Sequence, residues 1–390
     1  MFSPDGPVST VAMAVIWNAM DSVDTFFLIG AILLSYLTLN QLEKSGGGAK
    51  MWLMFYVHRY IRLTGVYLVI ILLHMTLLKY LAYGPQGFEL SQQFKACQEN
   101  WLANILYVNN FVNMDCLGQT WYMAVDMQFF IISPLIIFSL WKYPKCGRIF
   151  SGVLMILATS YPMIMAYTWG LKPGWGWDGR DDVYLKPQGR FQPYLFGLLV
   201  GYYLHQTKNQ KTLPLSFPVN TVIWIIAGLL GSLCIYGIAP YSPVSRIVPS
   251  LAEVVLYNGF NRLAWSCAVS WVIIACIKKK GGPINEMLSW SGFIPLARIS
   301  YVMYLIHMTL LIWHNSVLRD GISYSTEIFI FFVLTNVILT AALSVVLVIT
   351  FEMPILHLEK LVFALLGVGA MPKAKRYIKA ESTKSIKHDS

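Results

Sequence analysis

One carboxylate lies inside an apolar stretch, where a charge is costly. Asp126 follows the aromatic pair Trp121-Tyr122, which is typical of a membrane interface, and a helix would carry it about 7–8 Å deeper. Burying a carboxylate at that depth costs roughly 2.5–3.5 kcal/mol. Asp126 is therefore a candidate functional residue. The alternative is a structural hydrogen bond or ion pair between helices.

A histidine occupies the middle of another apolar stretch. His307 follows Arg298 by nine residues, which is about 13–14 Å along a helix, and it shares a helical face with Tyr304 and Ser300. A neutral imidazole exchanges protons near physiological pH and can act as a general base. The alternative is a buried histidine that only bonds to a neighbour.

Two arginines lead into an apolar stretch one helical turn apart. Arg59 and Arg62 could face one ligand together, and paired guanidinium groups suit phosphate. The alternative is that they anchor the helix and contact lipid headgroups. The sequence has no P-loop, no dinucleotide-binding glycine pattern and no Cys/His spacing of a metal site. We therefore expect no bound cofactor and no metal.

These residues need a membrane to position them. Of 390 residues, 56% are hydrophobic and only 12% are charged, and the mean hydropathy is +0.57. Soluble domains carry about twice that charge. Apolar runs near membrane length predict an all-α polytopic transmembrane helix bundle of about nine spans. The predicted spans are 23–40, 61–80, 121–141, 149–169, 191–205, 219–239, 263–277, 299–318 and 328–351.

The basic residues indicate the orientation in the bilayer. Of the 29 Lys and Arg, 27 fall in the predicted connections or tails, and the other two, Arg62 and Lys79, lie at the ends of the 61–80 span. About two thirds of the 29 lie on one set of alternate connections or at its boundaries. That set should be cytosolic, which places the N-terminus outside and the C-terminus in the cytosol. The net charge of +10 is thus a topology signal, and we expect no nucleic-acid partner. The sequence predicts a multi-pass protein of the plasma membrane or endoplasmic reticulum, with the lipid bilayer as its partner.

The longest predicted outside connection contains two cysteines, Cys97 and Cys116. Two cysteines in one oxidising loop predict a disulfide. The alternative is a pair of free thiols in a reducing compartment.

Several stretches in order resemble the acyltransferase 3 superfamily, most closely its animal branch, the nose-resistant-to-fluoxetine proteins. The resemblance runs from about residue 20 to about residue 360. It predicts an extramembrane segment over 1–22, a membrane domain over 23–360 and a basic cytosolic tail over 361–390. The stretches are Ser22-Val23-Asp24-Thr25-Phe26-Phe27, Phe55 to Arg62, Asn109-Asn110-Phe111, Trp121 to Gln128, Ser133-Pro134, Lys186 to Arg190, Pro295 to His307, Glu352-Met353-Pro354 and Leu358-Glu359-Lys360.

The resemblance implies an integral membrane enzyme that moves acyl groups, often from acyl-CoA, to a hydroxyl of a lipid, sugar or small molecule. Arg59 and Arg62 would hold the donor phosphates, and His307 and Asp126 would shape the intramembrane path. Much of the superfamily has Glu at the position of Asp126. The resemblance implies that the family's acyl-transfer histidine belongs to a first membrane helix after a Gly-x-Arg element, and we expect this sequence to start after that helix. The alternative is lipid or small-molecule transport or uptake without catalysis, with the same residues lining the route.

Overall fold

A computed structural model describes residues 15, 19, 21–81, 84, 87–112, 114–170, 183–237, 248–318 and 325–365. These residues form helices and short connections, and none of them belongs to a strand, so the predicted all-α fold is confirmed. The helices are α1 Asp21–Ser45, α2 Ala49–Leu81, α3 Gly87–Ile105, α4 Asn109–Val112, α5 Trp121–Lys142, α6 Pro144–Trp169, α7 Pro187–Gln206, α8 Phe217–Tyr236, α9 Leu251–Ile277, α10 Gly282–Leu288, α11 Phe293–Val317, α12 Thr326–Leu347 and α13 Met353–Leu365.

Eight candidate spans among the described residues are long and apolar enough to cross a bilayer. They correspond to α1, α2, α5, α6, α8, α9, α11 and a continuous stretch from α12 through a π-helical turn at Val348–Glu352 into α13. The ninth predicted span, 191–205, lies in α7. This helix has 20 residues but a more polar sequence, and it is largely buried between its neighbours.

The directions of the helices support a crossing by α7. From one contact between α1 and α7 to the next, the residue numbers rise on both helices. Gly201 lies against Ile32, and four residues further along each helix the rings of His205 and Tyr36 are 6.2 Å apart. The two helices are therefore parallel. Consecutive spans alternate in direction. Two spans are therefore parallel only if an even number of connections separates them. In the nine-span arrangement four connections separate the first span from the fifth, as the parallel helices require.

Helix α9 runs in the same direction as α1. Asn261, near the middle of α9, contacts Asp21 at the start of α1, and one turn later along both helices Trp265 Nε1 donates to Thr25 Oγ1 at 2.8 Å. Helix α8 runs the opposite way, because the Tyr257 hydroxyl donates to the carbonyl of Cys234 at 3.0 Å while contacts at the other end of α8 involve the end of α9. The alternation of the fifth to seventh spans thus follows from side-chain contacts.

The described helices form two compact units. The first comprises Met1–Trp52, Leu102–Met114 and Gly118–Phe293. Its core is aromatic: the ring of Phe129 lies 5.5 Å from Phe27 of α1 and 4.8 Å from Tyr194 of α7. These three helices meet through large apolar side chains that are almost fully buried.

The second unit comprises Leu53–Trp101, Asp115–Leu117 and Ile294–Ser390. In it α2 and α11 lie side by side and run in the same direction. The Tyr301 hydroxyl donates to the carbonyl of Leu63 at 2.8 Å, and further along His74 Nε2 lies 2.6 Å from Thr309 Oγ1.

A disulfide joins Cys97 of α3 to Cys116 within the second unit, with a Cα–Cα distance of 4.4 Å. Both cysteines are completely buried. The bridge therefore fixes α3 to the connection that precedes α5, and the other described cysteines are free thiols.

The sequence misplaced the start of the seventh span. We predicted 263–277, but α9 begins at Leu251, where Ser250 and Glu253 form a reciprocal capping box. Arg262 therefore lies inside the helix rather than in a connection. A local pattern cannot reveal that this charge has a buried partner elsewhere in the chain, so the polar first half of α9 resembled a loop.

Two predicted boundaries concern the ends of the chain. The predicted limit of the membrane domain, between residues 360 and 361, falls within α13, which continues to Leu365. Most of the predicted N-terminal segment and the basic tail from residue 366 lie outside the described residues.

The close approach of α1 and α7 gives a direct test. Gly197 and Gly201 form a small-xxx-small pair, and a Cβ at position 201 would lie 2.5 Å from the Ile32 carbonyl oxygen and 2.8 Å from the Ser35 Cβ. We expect Gly201→Val to destabilise the protein by about 1–3 kcal/mol through overpacking. The measurement is the thermal unfolding of purified protein in detergent.

Gly228→Val in α8 is the matched control, because nothing lies within 4 Å of a Cβ at that position. It introduces the same β-branched side chain into a helix. Equal unfolding temperatures for the two variants would contradict the described packing of α1 against α7.

Candidate functional site

Helix α1 of the first unit begins with two buried carboxylates. Asp21 and Asp24 lie in its first turn, one helical turn apart, and Asp24 is completely inaccessible to solvent. The positive end of the helix dipole favours carboxylates at this position. The dipole alone cannot compensate two buried negative charges, so partners from other helices are required.

Arg190 of α7 is the main partner of Asp24. Its Nη1 donates to both carboxylate oxygens, at 2.9 and 2.8 Å, and its Nε donates to the carbonyl of Tyr184 at 3.1 Å. The guanidinium carbon lies 4.1 Å from the centre of the Tyr184 ring and 5.9 Å from the Trp121 ring. Arg190 is 1% exposed, so these contacts form a buried ion pair enclosed by aromatic rings.

Helix α9 completes the cluster. Arg262 Nε lies 3.7 Å from Asp24 Oδ2, and Asn261 Nδ2 is 3.2 and 3.3 Å from the two Asp21 oxygens. The cluster thus contains two negative charges, on Asp21 and Asp24. It also contains two positive charges, on Arg190 and Arg262. The cluster is electrically balanced, which is the condition for keeping charges inside a protein.

Tyr184 borders this cluster just before α7 begins. Burial raises the pKa of its phenol, while the nearby Arg190 charge acts in the opposite direction. The phenol therefore stays protonated at physiological pH, and its ring serves as a neutral aromatic cover over the guanidinium group.

A second polar network connects α4, α5 and the segment before α7. Gln128 Nε2 donates to Asn110 Oδ1 at 2.9 Å and to the carbonyl of Tyr107 at 2.8 Å. Lys186 Nζ donates to the carbonyl of Asn110 at 2.6 Å and lies 4.6 Å above the Phe111 ring. This network ties the α3–α5 connection of the first unit to the start of α7.

Several separate stretches of sequence therefore converge in the first unit. The stretch around Asp24 contacts the one that ends in Arg190, and the stretches containing Asn110 and Gln128 contact each other and Lys186. We did not predict the ion-pair cluster, although its signal was available: two of the motifs behind the resemblance each contain one of the two paired charges.

Asp126, a predicted site residue, lies on α5 in the first unit. It is half-buried, and its chain neighbours Val125 and Met127 are buried. It is thus not the most buried carboxylate in a predicted membrane helix, because Asp24 is less exposed. The sequence singled out Asp126 because it is deeper in its apolar run than Asp24.

His307 lies on α11 in the second unit and is half-buried. Its Nδ1 is 2.6 Å from the carbonyl of Tyr304. A carbonyl only accepts hydrogen bonds, so Nδ1 carries a proton, and in the neutral imidazole Nε2 then holds a lone pair. No hydrogen bond to Nε2 occurs within the described part of the chain. His74 differs, because both of its ring nitrogens are bonded, to Ile70 and to Thr309.

Arg59 and Arg62 lie on α2, near the residues that contact α11. Arg59 is half-buried and Arg62 is exposed. Glu352, in the π-helical turn of the second unit, interacts electrostatically with Arg62. Its Oε2 is buried without a hydrogen-bond partner among the residues that the structure covers. Glu352 was not predicted as a site residue, although it opens the Glu-Met-Pro stretch of the resemblance.

The structure thus groups three of the four predicted polar residues. Arg59, Arg62 and His307 belong to two adjacent, parallel helices of the second unit, whereas Asp126 belongs to the first. Within the described ranges no group of three or more His, Cys, Asp and Glu side chains has an arrangement that could hold a metal ion.

Membrane-length helices with balanced charges inside them define a polytopic integral membrane protein. The model of an acyltransferase domain, acyltransferase 3, matches residues 16–353, and the chain belongs to this family. Among curated proteins it is 29% identical over 384 residues to Nose resistant to fluoxetine protein 6 of Caenorhabditis elegans, covering 90% of this chain and 46% of that protein.

A second curated relative is Regulator of hypoxia-inducible factor 1 of Caenorhabditis elegans, 23% identical over 334 residues. That alignment covers 76% of this chain and 60% of the relative. The chain therefore spans about half the length of the curated relatives it matches. No solved structure matches the chain.

The role of Arg190 leads to a second prediction. Lysine keeps the charge but lacks the Nε donor and the planar group that stacks on Tyr184, so we expect Arg190→Lys to destabilise the protein by about 1–3 kcal/mol. Lys208→Arg is the control, because Lys208 pairs with Glu43 at a partly exposed site, where such an exchange changes stability by less than about 1 kcal/mol. Thermal unfolding in detergent compares the two.

If Arg190→Lys unfolds at the wild-type temperature, the charge alone holds the cluster together. The hydrogen bond to the Tyr184 carbonyl and the contact with the Tyr184 ring would then not contribute to the stability of the protein.

Proposed function

We propose that this chain is a membrane acyltransferase that moves an acyl group from acyl-CoA to a hydroxyl of a lipid, sugar or small molecule. Family membership supports the reaction class. The observation that carries the proposal is the hydrogen bond from His307 Nδ1 to the Tyr304 carbonyl, because it leaves Nε2 able to accept a proton within a membrane-length helix.

The donor would bind at α2. Arg59 and Arg62, one turn apart, would contact the phosphates of CoA, and guanidinium groups suit this role because they donate two parallel hydrogen bonds. The carboxylate of Glu352 near Arg62 would hold its guanidinium in position in the absence of the donor. The parallel arrangement of α2 and α11 supports a donor site and a proton acceptor on the same pair of helices.

The transfer needs one proton acceptor and one leaving group. The hydroxyl oxygen of the acceptor attacks the thioester carbonyl while His307 Nε2 takes the hydroxyl proton. The C–O bond forms, the C–S bond breaks, and the CoA thiolate leaves. The imidazolium returns the proton to the thiolate sulfur, which gives an ester and free CoA. Asp126 would contribute a polar side chain to the acceptor path within the first unit.

The proposal includes an orientation. The connection at residues 46–48 and the C-terminal tail would lie in the cytosol, where acyl-CoA is available, because the basic residues concentrate on that side. The chain would reside in the plasma membrane or the endoplasmic reticulum. Transport of a lipid or small molecule without chemistry is the competing function.

The test is the release of CoA thiol and the recovery of labelled acyl product from the full chain in liposomes supplied with labelled octanoyl-CoA and a membrane lipid extract as acceptor. We expect His307→Gln to lower the rate roughly 10²–10⁴-fold, since it removes a general base. We expect Arg62→Gln to raise the KM for the donor more than it lowers kcat, since it removes a binding contact.

His357→Gln is the matched control. His357 also has Nδ1 near a carbonyl of its own helix, at 2.7 Å from Met353, but it is exposed on α13. An equal rate loss in His357→Gln would show a general effect of replacing histidine. A wild-type chain that binds octanoyl-CoA and releases no thiol would contradict acyl transfer and favour the transport function.

Asp126 has its own test. Asp126→Asn preserves shape and hydrogen-bonding capacity but removes the charge, so we expect it to abolish acyl transfer while the protein accumulates at the wild-type level. Asp126→Leu should in addition lower the protein level, because it removes the polar contacts. A fully active Asp126→Asn variant would assign this residue a structural role between helices.

A further inference from the structure

A groove with an apolar wall and a basic rim lies on the first unit, and its lining contains none of the residues of the proposed reaction. It has a volume of about 460 Å³ and opens between α1, α7 and α9. Its apolar wall is formed by Ile32, Leu33, Leu204 and Ile277. Tyr36, Gln210 and four lysines complete its lining, and the lysines are Lys208, Lys211, Lys278 and Lys279.

Two of these lysines have structural roles. Lys278 is buried, and its Nζ donates to the carbonyls of Thr207 and Gln210, at 2.5 and 2.8 Å. Lys208 Nζ lies 2.5 Å from Glu43 Oε2, and His205 Nε2 lies 3.3 Å from the other oxygen of this carboxylate, Oε1. Lys278 therefore fixes the turn after α7, and the charge of Lys208 is offset.

The other two lysines remain available to a ligand. Lys211 follows the turn that Lys278 holds, and Lys279 follows Lys278 at the end of α9. Both are exposed, and neither forms an ion pair with any residue in the described ranges. The groove thus has an excess of positive charge on one rim, next to a wall of apolar side chains.

The position of the groove adds a further constraint. Helices α7 and α9 are parallel to α1, and both end at this rim, so their last turns and the lysines lie at one surface of the membrane domain. The distribution of basic residues predicts this surface as cytosolic, where anionic phospholipids are concentrated. Basic pockets between membrane helices on that side suit lipid headgroups.

From this geometry we propose that the groove binds one anionic phospholipid. The headgroup phosphate lies against Lys211 and Lys279, and an acyl chain lies along Ile32, Leu33 and Ile277. The volume is within the range of sites for small amphiphilic ligands. The bound lipid joins the ends of α7 and α9 to the middle of α1, and this role is independent of the acyl-transfer reaction.

Native mass spectrometry of the purified full chain provides the test, with dioctanoyl phosphatidylglycerol as the anionic probe and dioctanoyl phosphatidylcholine as the neutral one. We expect one tightly held phosphatidylglycerol and no comparable phosphatidylcholine. The double variant Lys211→Ala/Lys279→Ala should weaken phosphatidylglycerol binding by about fivefold for each lysine, or roughly thirtyfold for the pair.

Lys142→Ala/Lys145→Ala is the matched control. It removes two exposed lysines around the α5–α6 connection, on the same predicted side of the membrane but outside the groove. The proposal requires this control to bind within about threefold of wild type. An equal loss in both double variants would show general attraction to basic surface and would overturn the site.

Two further measurements separate a lipid from a soluble phosphate. Leu33→Trp keeps every lysine but fills the apolar wall, so it should weaken phosphatidylglycerol at least about tenfold. Soluble glycerophosphoglycerol, which has the headgroup without acyl chains, should bind at least about tenfold more weakly than the lipid. If it binds equally well, or if Leu33→Trp has no effect, the groove is not a lipid site.

Discussion

Charge inside a low-dielectric membrane domain is the constraint on which the first unit depends. Asp24 and Arg190 neutralise each other through hydrogen bonds of 2.8–2.9 Å, and both residues are buried, so water cannot take the place of either partner. An unpaired ion at that depth would cost several kcal/mol, so α1 and α7 must meet at this point. The glycine pair of α7 then brings the two backbones together over the next two turns, where a larger side chain would not fit.

The same constraint explains why α9 joins these helices. Arg262 and Asn261 lie on the face of α9 that meets the first turn of α1. Arg262 Nε lies 3.7 Å from Asp24, and Asn261 Nδ2 donates to the second carboxylate, Asp21. Polar contacts therefore join the starts of α1 and α7 to the middle of α9. The groove bordered by lysines lies between the middle of α1 and the ends of α7 and α9.

Much of this arrangement could be predicted from the sequence, because apolar run length and basic side chains report directly on the bilayer. Each of the nine predicted spans lies in a helix or extends at most a few residues beyond it. The buried cluster could not be predicted in that way. Asp24 looked like the edge of a span, and Arg262 looked like part of a connection, because each charge is tolerated only through a partner far away in the chain. The resemblance marked the stretches that contain Asp24 and Arg190, but their contact follows only from the packing of the helices.

The most direct test of this account is a double-mutant cycle on Asp24→Asn and Arg190→Gln, measured as the free energy of unfolding in mixed micelles. Each single variant leaves one buried charge without its partner and should lower the free energy of unfolding by about 3–5 kcal/mol. The double variant should cost markedly less than the sum of the two, with a coupling energy of at least about 2 kcal/mol. Effects that add to within about 0.5 kcal/mol would mean that the two residues do not depend on each other, and they would contradict the account.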